Sequence, residues 1–144
     1  MSWDVMIMRF DGRRPLRMED WPEGFQPPSL GPANEVRRLI SAIFTDVDWS
    51  EPNWGRSEQD GHTIEFSIGA DDPVEALMLH VHGGGDPVAA ICRLCAAYHW
   101  EAMDCSSGEW LDLARPNSGS WKQFQAFRDS LLDLADQAPD EPTG

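Results

Sequence analysis

The sequence predicts an α+β fold: an antiparallel sheet of about five strands with helices packed on it, in the split βαβ order of ferredoxin-like domains plus a C-terminal helix. Three observations carry that prediction. Segments 62–68 and 75–82 alternate apolar and polar residues with the period of a half-buried strand. Segments 32–44, 86–99 and 120–136 repeat apolar residues at helical spacing. Turn residues separate them: Asp71-Asp72-Pro73, Gly83-Gly84-Gly85 and Ser106-Ser107-Gly108.

The elements follow in order. Trp3 to Phe10 is apolar and reads as a strand, which Asp11-Gly12 ends. Residues 11–32 hold five prolines and three glycines, so they form a long surface loop. Leu16, Trp21, Phe25 and Leu30 should anchor that loop on the domain. Pro32 opens a helix to about Phe44, with Val36, Leu39, Ile40 and Ile43 on one face. Residues 46–60 read as an acidic loop, because Pro52 and Gly55 exclude a long helix or a central strand. In the next two strands Ile64, Phe66, Ile68, Leu77, Leu79 and Val81 point inward. Thr63, Glu65, Ser67, Met78, His80 and His82 share the opposite face. Asp86 caps a helix that Pro87 begins and that runs to about His99. A hairpin over 100–113 precedes the last helix, whose apolar set is Phe124, Phe127, Leu131, Leu132 and Leu134. Residues 1–136 are expected to form one domain, with 137–144 a flexible tail.

Charge narrows the function. The chain of 144 residues has a net charge of −14. Residues 1–45 hold six acids and six bases, so the remaining 19 acids and five bases carry all of it. Such a field repels nucleic acid and anionic membranes and attracts basic partners. No apolar run approaches the roughly 20 residues of a membrane helix. The start, MSWDVMIMRF, is unlike a signal peptide, and three cysteines make no disulfide framework. A cytoplasmic location is therefore expected.

Several motifs suggest chemistry. Gly83-Gly84-Gly85 lies between strand and helix, where phosphates bind, but no Lys and Ser/Thr follow and Asp86 adds a repelling charge. Cys92-x-x-Cys95 with His99 has helical spacing, yet its apolar neighbours make the cysteines core residues. Asp46-x-Asp48-x-Ser50 begins like a calcium loop but has Glu51 at the glycine position and Ser57 at the final acid. Cys105-Ser106-Ser107 lacks the pattern of a nucleophile elbow. His80-x-His82 with Glu65 is the best candidate for metal binding or acid–base work. No motif calls for a cofactor.

The segment 46–60 points instead to a partner. Asp46, Asp48, Glu51, Glu58 and Asp60 surround Trp49 and Trp54, against a lone Arg56. Acid speeds encounter with a basic protein, and a buried aromatic ring holds the complex. The alternative is that both rings fold back on the core and clamp the loop.

Trp3-Asp4-Val5, Pro28-x-Leu30-Gly31, Asp46-Val47-Asp48-Trp49, Met78-Leu79-His80-Val81 and Gly83-Gly84-Gly85-Asp86-Pro87 resemble a group of small bacterial proteins without assigned activity. That resemblance carries over no catalytic residue. In size, acidity and α+β pattern the chain is also similar to immunity proteins of bacterial toxin systems. That likeness implies a module that neutralises a basic toxin or effector by binding it. Two other readings stand beside it: a small metal-dependent or acid–base enzyme using His80, His82 and Glu65, and an accessory subunit of an oligomer.

Overall fold

The computed structural model of the chain describes residues 1–137. In chain order its elements are β1 (Trp3–Met8), α1 (Ala33–Ile43), β2 (Asp48–Glu51), β3 (Trp54–Gln59), β4 (His62–Ser67), β5 (Leu77–Gly83), α2 (Val88–Tyr98), β6 (Glu101–Asp104), β7 (Glu109–Trp110) and α3 (Gly119–Gln137). The class is α+β, with three helices and one antiparallel sheet of seven strands ordered β2-β3-β4-β5-β1-β6-β7. The expected tail beyond Gln137 lies outside the described residues.

Alternation builds the two-sided sheet as the sequence implies. Trp3, Val5, Ile7, Ile64, Phe66, Leu77, Leu79 and Val81 are buried on one face. Val36 and Ile40 of α1 and Val88, Ile91, Leu94 and Cys95 of α2 join them in a single core. Both helix starts are capped by aspartates. The Ala33 amide donates to Asp72 Oδ1 (3.0 Å), reaching across from the β4–β5 connection. The Val88 amide donates to Asp86 Oδ1 (3.1 Å). Each satisfies an amide that the helix itself leaves unpaired.

The strand count corrects the expected five. The extra pair, β2 and β3, comes from the segment read as a loop. Pro52 stands in the turn between them, where its missing N–H costs no ladder bond. Gly55 sits inside β3 because a Cβ there would lie 2.7 Å from the Trp49 ring. Asp60 and Gly61 then join β3 to β4 with φ of 52° and 84°, the two positive values of a type I′ hairpin.

The loop before α1 is laid on the sheet, with one exception to its expected anchors. Phe10, Trp21, Phe25 and Trp110 form an aromatic cluster with centroids 5.5–6.2 Å apart. Leu30 is buried, and its amide donates to the Val74 carbonyl (2.8 Å). Leu16, however, is 82% exposed, so it anchors nothing.

Helix α3 also departs from expectation. Its buried residue is Trp121, packed on Trp3 with centroids 5.7 Å apart. Phe124 stacks on Trp121, while Phe127, Leu131, Leu132 and Leu134 are 39–64% exposed. The first turns hold the helix on the core, and the rest of its stripe is exposed.

The three glycines serve as a junction. A Cβ on Gly83 would lie 2.7 Å from the Gly61 carbonyl oxygen, and one on Gly85 would lie 2.2 Å from that of Asp60. At Gly83 and Gly85 only glycine lets this loop seat against the β3–β4 turn. Its carbonyls then receive α3: Trp121 Nε1 donates to Gly85 O (2.8 Å) and Arg128 Nη1 to Gly83 O (2.7 Å). The glycines are thus occupied in holding three elements together.

Candidate functional site

The second sheet face carries the residues with chemical character. Antiparallel register arranges them in rows. One row runs Asp48, Arg56, Glu65, His80, Asp4 across five strands. A second runs Trp54, Ser67, Met78, Met6, Met103, Trp110, with Glu51 opposite Trp54 at its outer end. A third holds Glu58, Thr63 and His82. A bulge between Asp48 and Glu51 brings both opposite outward-facing residues of β3. These three rows thus hold five carboxylates and one arginine. All three helices pack on the other face or at its end, so the row positions of β3, β4 and β5 stay partly or fully exposed.

Trp54 is the centre of a fixed network. Its ring is 40% exposed. Nε1 donates to Glu65 Oε2 (2.8 Å), and one ring face stacks on His80 with centroids 5.3 Å apart and planes 15° from parallel. His80 Nδ1 lies 2.8 Å from Asp4 Oδ1. His82 Nε2 lies 3.1 Å from Glu65 Oε1, and its Nδ1 is 3.2 Å from the Met1 carbonyl. Each imidazole is therefore held by its own carboxylate. The expected His80, His82 and Glu65 do meet on one face. Among the described residues, however, no three His, Cys, Asp or Glu side chains are grouped as a metal would require.

The acidic segment divides by role. Trp49 turns inward: its Nε1 donates to Ser41 Oγ (2.9 Å), and its ring fills the space left by Gly55. Asp46 is structural too. It accepts from Ser57 Oγ (2.7 Å), the Glu58 amide (2.9 Å) and Gln59 Nε2, tying β3 to the end of α1. Burial pulls its pKa up, but these hydrogen bonds outweigh burial and hold the carboxyl below the usual range. Asp60 is a turn residue. Asp48 accepts from the Ser50 amide and hydroxyl, which lower its pKa. Glu51 is exposed, and Glu58 pairs with Arg56 (2.7 Å). Only Asp48, Glu51, Trp54 and Glu58 of the expected partner-binding set therefore face outward together.

The remaining motifs sit in structural places. Cys92 and Cys95 are buried in the core. Burial, with Asp112 second, pushes the Cys92 thiol up to about 11. Burial pushes Cys95 up further, so neither offers a thiolate at neutral pH. His99 ends α2 with φ of 57°.

Alternation placed Met78 on this face beside His80 and His82, but sequence reasoning missed Asp4 and Met6. Alternation within β1 was the signal available, since each stands between inward residues. It also missed Arg14. That guanidinium lies over the Trp110 ring at 5.1 Å from its centroid and pairs with Glu101 at 2.6 Å.

No family model, curated protein or solved structure matches the chain. Among the described residues, no helix is long and apolar enough to cross a membrane.

Proposed function

We propose that this protein is a binding module that receives a basic protein on the outer face of its sheet, and that it neutralises a bacterial toxin or effector in the manner of an immunity protein. The observation that carries the reading is Trp54: a 40% exposed ring locked by Glu65 and His80 amid Asp4, Asp48, Glu51 and Glu58. A large apolar ring in a fixed pose has little side-chain entropy left to lose on binding. Met78 and Met6, farther along the same row, supply adaptable apolar surface, and the acids supply long-range attraction. Aromatic anchors within a polar rim are the usual anatomy of a protein interface. A cytoplasmic location fits a resident inhibitor. The order β4-β5-β1-β6, crossed by α1 and α2, supports reading the middle of the sheet as a split βαβ core that the β2–β3 hairpin and β7 extend.

The test is co-expression with the product of the adjacent gene. A basic protein that co-purifies at low salt, dissociates progressively as salt rises, and is lost with Trp54→Ala supports the reading. The Debye length falls to about 8 Å at physiological ionic strength, so the rim charges should matter most in dilute buffer. Reversing Asp48 and Glu51 to lysine should slow association by about tenfold or more. An adjacent metabolic gene whose product does not bind, or an association rate untouched by the reversal, would sink it.

A further inference from the structure

The two tryptophans that end the Trp54–Trp110 row have unequal fates. Trp110 already carries a guanidinium: Arg14 lies over its ring at 5.1 Å, with the Glu101 carboxylate 2.6 Å from Nη1. At the other end a carboxylate stands at the rim of Trp54 itself, because Glu65 accepts from its indole N–H, whereas the Trp110 N–H donates to the Pro15 carbonyl. Glu51 stands opposite it in register. His80 covers one face of the ring, and the residue as a whole remains 40% exposed. Among the described residues the two arginine–ring contacts are Arg14 on Trp110 and Arg128 on Phe124, so no cation of the chain occupies Trp54. Nearby Arg56 is engaged by Glu58 instead.

We infer that the open face of Trp54 is the seat of an arginine side chain from the basic partner, stacked flat on the indole with its N–H groups directed at Glu65 and Glu51. This rests on the reading of the outer face as a site for a basic protein, and names the group that reads it. A planar, weakly hydrated guanidinium stacks on an aromatic face and keeps its in-plane donors for carboxylates. The Lys ammonium is a compact, strongly hydrated charge and gains less there. Glu65 retains acceptor capacity, since Oε2 takes the Trp54 N–H, Oε1 lies 3.1 Å from His82 Nε2, and each oxygen has a further lone pair.

The experiment uses the full chain, labelled with nitrogen-15, titrated at low salt with tetra-arginine and tetra-lysine peptides of equal charge. The Trp54 indole resonance is identified by its absence from the Trp54→Leu variant. Tetra-arginine should bind about three- to fivefold more tightly than tetra-lysine and move the Trp54 indole signal. In Trp54→Leu the preference should vanish while weaker, salt-sensitive binding of both peptides remains. Trp54→Phe, which keeps an aromatic face, should retain part of the preference, and it serves if the leucine variant fails to fold. Equal binding of the two peptides by the native chain, or a preference that survives in Trp54→Leu, overturns the arginine seat. If both peptides still shift outer-face resonances, the basic-partner reading stands without it. If neither peptide shifts them, both fall.

Discussion

Two tryptophans five positions apart show how far neighbours decide a residue's role. Trp49 and Trp54 share an acidic segment, and composition treats them alike. Trp49 sits on the inward side of β2, with its ring over Gly55 and its N–H on Ser41. Trp54 sits on the outward side of β3, with its ring on His80 and 40% of the residue exposed. Truncation should separate them. Trp49→Ala removes packing and a hydrogen bond and should cost about 2–4 kcal/mol in denaturant unfolding. Trp54→Ala should cost less than about 1 kcal/mol and act on binding instead. A reversed order of the two losses would show that the inward and outward assignments are wrong. Neither assignment was legible in sequence, because it depends on the β2–β3 bulge and on which side of β4 the hairpin presents.

Among the elements, those with clean local periodicity were legible. Strands β4 and β5 followed from alternation, and α1 and α2 began within a residue or two of Pro32 and Pro87. The hairpin β2–β3 was hidden by Pro52 and Gly55, residues that normally argue against a strand, although Asp60-Gly61 is itself a strong hairpin signal. The stripe on α3 was read correctly as helical but not as exposed, since a period says nothing about what covers it. The site was half legible. His80, His82 and Glu65 could be grouped, but their contact with Trp54 needs the pairing of β3 with β4. The glycine junction yields a sharp contrast at this scale. Gly85→Ala would force a Cβ to 2.2 Å from the Asp60 oxygen at a φ of 64°, and should cost more than about 2 kcal/mol. At Gly84 a Cβ would meet only Gly61 O at 3.6 Å, so Gly84→Ala should change stability by less than about 1 kcal/mol. Thermal unfolding of the pair checks this, and equal losses would mean the loop is free to shift.

The whole molecule should respond to acid in two stages. His62 is 6% exposed and its Nδ1 has no partner, with its ring against Gly85. Burial lowers its pKa, and the charges of Asp60, Asp46 and Asp86 only partly offset that. The neutral ring is favoured in the folded chain, so this group costs nothing above about pH 6.5. As pH falls below that value the unfolded chain takes up the proton first and stability declines until the folded pKa is passed. Asp46 and Asp104 act lower. In both, hydrogen bonds outweigh burial and depress the pKa, so their contribution is present above about pH 4 and lost beneath it. Denaturant midpoints measured between neutrality and about pH 5 should fall for the native chain and stay flatter for His62→Gln. Identical slopes would exclude His62 as the source.

The ends of the sheet set a final constraint on recognition. At one margin β2 is four residues long, bulged, and lined by Asp48 and Glu51. At the other, β7 spans only Glu109 and Trp110. Short, kinked and charged margins resist the docking of a foreign strand, which would otherwise recognise main chain irrespective of sequence. For a partner of the kind proposed, backbone-to-backbone pairing is thereby disfavoured and discrimination falls to side chains.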